Sequence, residues 1–213
     1  MWAWVLLAGC LGGARHEVAL ADLAPLGAEQ LSALKDEEHA VALAVTLRAG
    51  AVADVTRAEA AVEQARLARD AARLDLDVAR AGVEAARASR SPLRVGAALT
   101  LLEDARLAAE AADARLAWQE ASRRAAEENV RLTEARVDLR RAELELARLD
   151  LLASAGRGVG YGHAGFTDAV RRARDRFEAA EAEHAEYADA AQEAWARWRE
   201  RLAARGAMSD IDG

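Results

Sequence analysis

Glu181 and His184 stand three residues apart, the spacing that turns a carboxylate and an imidazole to one face of a helix. In bundles of helices such Glu-x-x-His pairs hold carboxylate-bridged metals capable of oxidation or metal storage. Asp36-Glu37-Glu38-His39 is a rough counterpart, and Glu127 or Glu128 adds a further carboxylate. In a chain with 36 Asp and Glu, however, a Glu three residues from a His is expected by chance. Di-iron bundles use four helices, and His184 falls on an apolar seam where a lone polar residue sets helix register. No metal or cofactor is therefore assigned, and Glu181 and His184 remain the bare candidates. The glycine-rich run from Gly156 to Gly165 raises a second chemistry, a phosphate cradle of backbone donors. It contains no Gly-Lys-Ser/Thr and no strand leads into it, so a helix–helix turn is the better reading. Tyr161, His163 and Phe166 in the loop it forms (156–166) are either a contact surface for a partner or cell-wall glycan, or the cover on a bundle's end. No Ser/His/Asp set and no Cys/His pair has a supporting motif. The chain reads as a non-enzyme.

Composition limits the elements that could position these groups. Lys and Arg number 29 against 36 Asp and Glu, a net charge of −7. The Arg residues are interleaved with acids, so no basic footprint for nucleic acid exists. Thr, Tyr and Phe are scarce, and with them the residues of pleated, half-buried strands. A chain dominated by Ala, Glu, Leu and Arg with regular apolar spacing reads as long helix or coiled coil.

The spacing is sevenfold. Ala44, Ala51, Ala58, Ala65, Ala72, Ala79 and Ala86 recur at strict intervals, with Val41, Arg48, Val55, Val62, Arg69, Leu76 and Val83 three residues before each. Small residues at one seam position permit close helix approach. A second region gives Leu102, Ala109, Leu116, Arg123, Val130, Val137, Leu144 and Leu151, and a third gives Val170, Phe177, His184, Ala191 and Trp198. A seven-residue period sustained this long implies left-handed supercoiling. Ser91-Pro92 breaks the first region and Gly96 completes the turn. Thr167 is placed to cap a third helix with Asp168 in its first turn. A second stripe on the middle helix, Trp118, Ala125, Leu132, Leu139 and Leu146, calls for a second partner there. The expectation is all-α: a long antiparallel coiled-coil hairpin over residues 28–155 with its turn at 91–97. A Gly-rich loop (156–166), a third helix (167–205) packed on the hairpin's base and a disordered tail (206–213) complete it. Beyond the third helix the hairpin narrows to two helices or pairs with another copy.

Leu7-Ala8-Gly9-Cys10 closes an apolar run and resembles the lipobox of bacterial lipoproteins. The resemblance implies that residues 1–9 are a signal peptide and that Cys10, the single Cys, is acylated. Residues 10–27 would then be a tether, beginning with Gly12-Gly13-Ala14. Leu11 after the Cys resembles the pattern of lipoproteins sorted to the outer membrane. Signal peptides usually start with positive charge. Here no Lys or Arg precedes Arg15, which leaves an upstream start or a plain hydrophobic N-terminus as the alternatives. No apolar stretch approaches the roughly 20 residues of a membrane span.

Leu47-Arg48-Ala49-Gly50-Ala51 and Leu93-Arg94-Val95-Gly96-Ala97 form a short repeat, each copy leading into Ala/Arg/Glu/Leu helix. With the run Leu102 to Leu107 they resemble the periplasmic helices of outer-membrane efflux channels of the TolC type. The hairpin is also similar to that of periplasmic adaptor proteins. The strands of the channel barrel and the β-rich domains of the adaptors are missing. The resemblance implies an envelope protein, lipid-anchored on the periplasmic face of the outer membrane. Its partners would be the membrane, through the N-terminal lipid, and helical envelope proteins or itself. Ser91, Pro92, Leu93 and Arg94 at the hairpin tip are the candidate contact. The role is a scaffold, spacer or adaptor, with an accessory part in an efflux or secretion assembly as the alternative.

Overall fold

The computed structural model describes residues 16–209. Every regular element among them is helical. Two short helices come first, α1 (Leu20–Leu23) and α2 (Ala28–Leu31), followed by a 3₁₀ turn at Ser32–Leu34. Three long helices follow, α3 (Lys35–Ala88), α4 (Pro92–Ser154) and α5 (His163–Ser209). The residues divide into two compact units: one takes the chain up to Val41 with Asp138–Arg174, the other Ala42–Val137 with the chain from Asp175.

In the larger unit α3 and α4 form an antiparallel hairpin. Arg48 reaches Glu134 at 2.8 Å, Arg66 reaches Glu120 at 3.7 Å and Arg73 reaches Asp113 at 2.9 Å, so the partner's number falls as the α3 number rises. The sevenfold seam is the face that closes: Ala44, Ala51, Val62, Ala65 and Val83 of α3 are buried, as are Ala109, Leu116 and Val137 of α4. Small residues at the seam let Val62 and Ala65 sit in one cluster with Leu116. α5 packs on α4, also antiparallel. Trp118 stacks on Trp198 with ring centroids 4.8 Å apart and planes 6° from parallel. Arg136 lies over the Phe177 ring at 5.4 Å. The second stripe of α4 is thus the surface α5 occupies. α5 reaches further along α4 than that stripe suggests, because Arg201 meets Glu110 and Arg205 meets Asp104.

The smaller unit has its own core of Val18, Leu23, Leu26, Leu149, Leu152 and Phe166, edged by Leu31, Leu146, Leu151, Ala155 and Tyr161. Residues 16–27 are therefore packed, not a free tether. Their apolar side chains cover the α4–α5 connection, and the Val18 N–H donates to Glu145 Oε2 at 2.8 Å.

Other boundaries move for local reasons. The first turn is Ser89 to Ser91, not 91–97. Arg90 ends α3 in the left-handed region (φ 53°), and Pro92 opens α4 at a position where its missing N–H costs nothing. Gly96 lies inside α4, and Gly50 and Gly82 lie inside an unbroken α3. α5 begins at His163 rather than 167, so Thr167 is not its cap; its hydroxyl instead donates back to His163 O at 3.1 Å. Gly165, which reads as a loop residue, is helical and small for another reason: an added Cβ would lie 2.6 Å from the His16 ring. The tail is shorter than 206–213, since helix continues through Gly206 to Ser209. Residues 1–15, on which the expected signal peptide, Leu7-Ala8-Gly9, Cys10 and the start of the expected tether fall, lie outside the described residues, as do 210–213.

Candidate functional site

A set of specific polar contacts sits where the N-terminal segment meets the α4–α5 connection. α4 ends in a glycine cap: Gly156 (φ 72°) donates to Ala153 O at 3.0 Å and Arg157 to Leu152 O at 2.8 Å. Gly160 (φ 108°) makes the second left-handed step. The chain is thereby turned to present Tyr161. Its hydroxyl donates to Asp22 Oδ2 and accepts the Ala19 N–H at 3.1 Å. The Asp22 carboxylate holding the phenolic proton raises the Tyr161 pKa above its usual value, with the Ala19 N–H opposing in part. Phe166 is buried beneath, with His16 at 5.4 Å and Tyr161 edge-on at 6.1 Å. Of the two readings of these aromatics, covering an end of the core describes Phe166 and Tyr161.

His163 does something different. Its Nε2 lies 3.1 Å from Asp150 Oδ1 and its Nδ1 3.2 Å from Thr167 Oγ1. This is the order of a hydroxyl, a base and an orienting carboxylate, and sequence spacing did not signal it. The His163 and Asp150 side chains are 62% and 58% exposed, however, and the Thr167 hydroxyl is spent on a helix carbonyl. The trio joins the end of α4 to the start of α5, in open solvent.

At the α3–α4 turn, Ser91 O accepts the Val95 N–H at 3.1 Å, the first bond of α4. Pro92, Leu93 and Arg94 project outward, and Leu93 is 85% exposed. Glu181 is exposed and His184 half-buried on α5. Among the described residues no three His, Cys, Asp or Glu side chains converge as metal ligands. Glu127 is paired with Arg123, and buried Glu128 with Arg131 at 2.8 Å. Asp36, Glu38 and His39 belong to the smaller unit, Glu181 and His184 to the larger.

The helical run Ala28–Ala88 contains an 18-residue window of mean hydropathy 1.2 that is only 11% buried, long and apolar enough by composition to cross a membrane.

Comparison with models of protein families, with curated proteins and with solved structures finds no match for this chain.

Proposed function

We propose that this chain is a non-enzymatic envelope lipoprotein, anchored through acylated Cys10 to the periplasmic face of the outer membrane, and that it works as a coiled-coil scaffold, spacer or adaptor. The observation that carries the reading is Leu7-Ala8-Gly9-Cys10 standing just ahead of a folded body that begins at His16 and Val18. Six residues from Cys10 to His16 extend at most about 20 Å. An anchor at Cys10 therefore keeps the smaller unit at the bilayer surface. Several acyl chains hold there far more firmly than the single chain that binds only marginally. The long helices, with charged flanks paired along their own length, offer surface for other helices rather than a reaction centre.

Exposed Leu93 favours a second reading, end-on docking of the α3–α4 turn onto a channel of an efflux or secretion assembly. Palmitate labelling that disappears in Cys10→Ala is the expected result. An unlabelled protein in the soluble fraction with its first ten residues intact overturns the anchor. Cross-linking from residues 91–97 in intact cells separates the roles: a channel partner favours transport, and peptidoglycan or self-contact favours scaffolding.

A further inference from the structure

The α3–α4 turn carries charge of one sign on an acidic chain. Residues 85–102, between Glu84 and Glu103, include Arg87, Arg90 and Arg94 and no Asp or Glu, in a protein of net charge −7. Arg87 pairs with Glu84 at 2.8 Å. Arg90 and Arg94 are exposed and have no acidic partner among the described residues. Beside them stands a short apolar face. At about 100° per residue, Leu93, Ala97 and Leu101 spread over about 80° at the start of α4, with Arg94 on their edge. Leu93 is 85% exposed and Leu101 66%. Two polar residues share that arc. Thr100 donates its hydroxyl to Gly96 O at 3.4 Å, so its hydrogen bond is spent on its own helix. Asp104, the first acid on the line, lies beyond Leu101 and is engaged by Arg205 at 3.5 Å, which ends the patch there.

The size and sign of this patch say what it meets. Leu93 and Leu101 stand about 12 Å apart along the helix. A stable protein interface covers about 800 Å² on each partner, far more than two leucines and a turn supply. A bilayer asks for less: a few apolar side chains sunk at headgroup level, and cations at the lipid phosphates. A guanidinium takes phosphate oxygens in pairs, and the long Arg stem keeps the charge at the phosphates while a neighbouring leucine goes deeper. An uncharged bilayer would use the leucines alone. Two guanidiniums without acids of their own select an anionic one, at about fivefold in binding for each Arg.

We infer that the α3–α4 turn docks on an anionic lipid surface through Leu93, Leu101, Arg90 and Arg94. The inference goes beyond the scaffold reading and does not rest on the acyl anchor, so it is tested in the full chain carrying Cys10→Ala. The apolar run before Cys10 is common to every variant, and the readout is the difference between variants and between vesicles. Flotation should be stronger with phosphatidylcholine vesicles containing a quarter phosphatidylglycerol than with phosphatidylcholine alone, and should fall as salt rises. Arg90→Gln/Arg94→Gln should weaken binding to the anionic vesicles about thirtyfold, with helix content unchanged. Leu93→Ser/Leu101→Ser should weaken it at least about tenfold. Arg171→Gln/Arg172→Gln removes the same charge from exposed positions of the smaller unit and should change binding by less than about threefold. Equal flotation with phosphatidylcholine alone overturns the inference, as does equal weakening by the Arg171 and Arg172 pair. A full chain that stays at the bottom of the gradient also overturns it and leaves the turn to a protein partner.

Discussion

Leu152→Ala tests whether the N-terminal segment is a structural part of the smaller unit. Leu152 is the only large side chain with no exposure at all among the described residues, and its neighbours in the cluster come from three places: Val18, Leu23 and Leu26 of the N-terminal segment, Leu149 of α4 and Phe166 of α5. Removing three carbons forfeits about 2.4 kcal/mol of transfer free energy at about 0.8 kcal/mol per carbon. A residual cavity of about 60 Å³ adds about 1.4 kcal/mol. Because α1 and its flanks are short, they can settle inward and shrink that cavity. The expected destabilisation is therefore about 3 kcal/mol, below the sum of the two terms. Urea unfolding followed by far-ultraviolet circular dichroism measures the total. Hydrogen exchange at the amides of residues 16–26 reads the local share. Leu67→Ala, on a side chain 70% exposed, should change stability by less than about 0.5 kcal/mol. A loss below about 1 kcal/mol for Leu152→Ala, or exchange in residues 16–26 that does not accelerate, refutes the packed arrangement.

Three further outcomes are open to measurement. The Tyr161 phenol, held protonated by Asp22, contributes stability that is complete below its usual pKa and is lost as pH rises through the raised one. An alkaline limb in the unfolding profile that vanishes in Tyr161→Phe is expected, and an identical limb in the variant would count against the clamp. Arg90→Gly relieves a left-handed residue that costs about 1–2 kcal/mol but loses about 0.5–1 kcal/mol to unfolded-state entropy, a net gain of up to about 1.5 kcal/mol by urea midpoint. Destabilisation there would mean the Arg90 side chain has a role the exposed turn does not suggest. A double-mutant cycle between Trp118→Ala and Trp198→Ala should return about 0.5–1.5 kcal/mol of coupling for the near-parallel stack. Strict additivity within about 0.3 kcal/mol would dissolve the pair.

The reactive-looking residues were the least informative part of the chain. Glu181 and His184 lie on one helix without a third ligand among the described residues, whereas His163 and Thr167, four residues apart on α5, meet Asp150 of α4, which no spacing announces. Spacing reports on one helix at a time. A cluster drawn from the end of one helix and the start of the next depends on how the connection folds.

Local rules sufficed wherever one helix's own pattern decided the outcome. The sevenfold recurrence from Ala44 to Ala86 marks the buried face because a fixed period places residues on one side of a helix whatever lies opposite. The second stripe from Trp118 to Leu146 demanded a third helix for the same reason. The fate of residues 16–27 was decided by contacts distant in sequence. Gly165 is small because the His16 ring lies against it, and Val18 is buried because Leu152 and Phe166 are there to receive it. Glycine looks the same in a sequence whether it frees a turn or admits a neighbour, and only the packed partner tells the two apart.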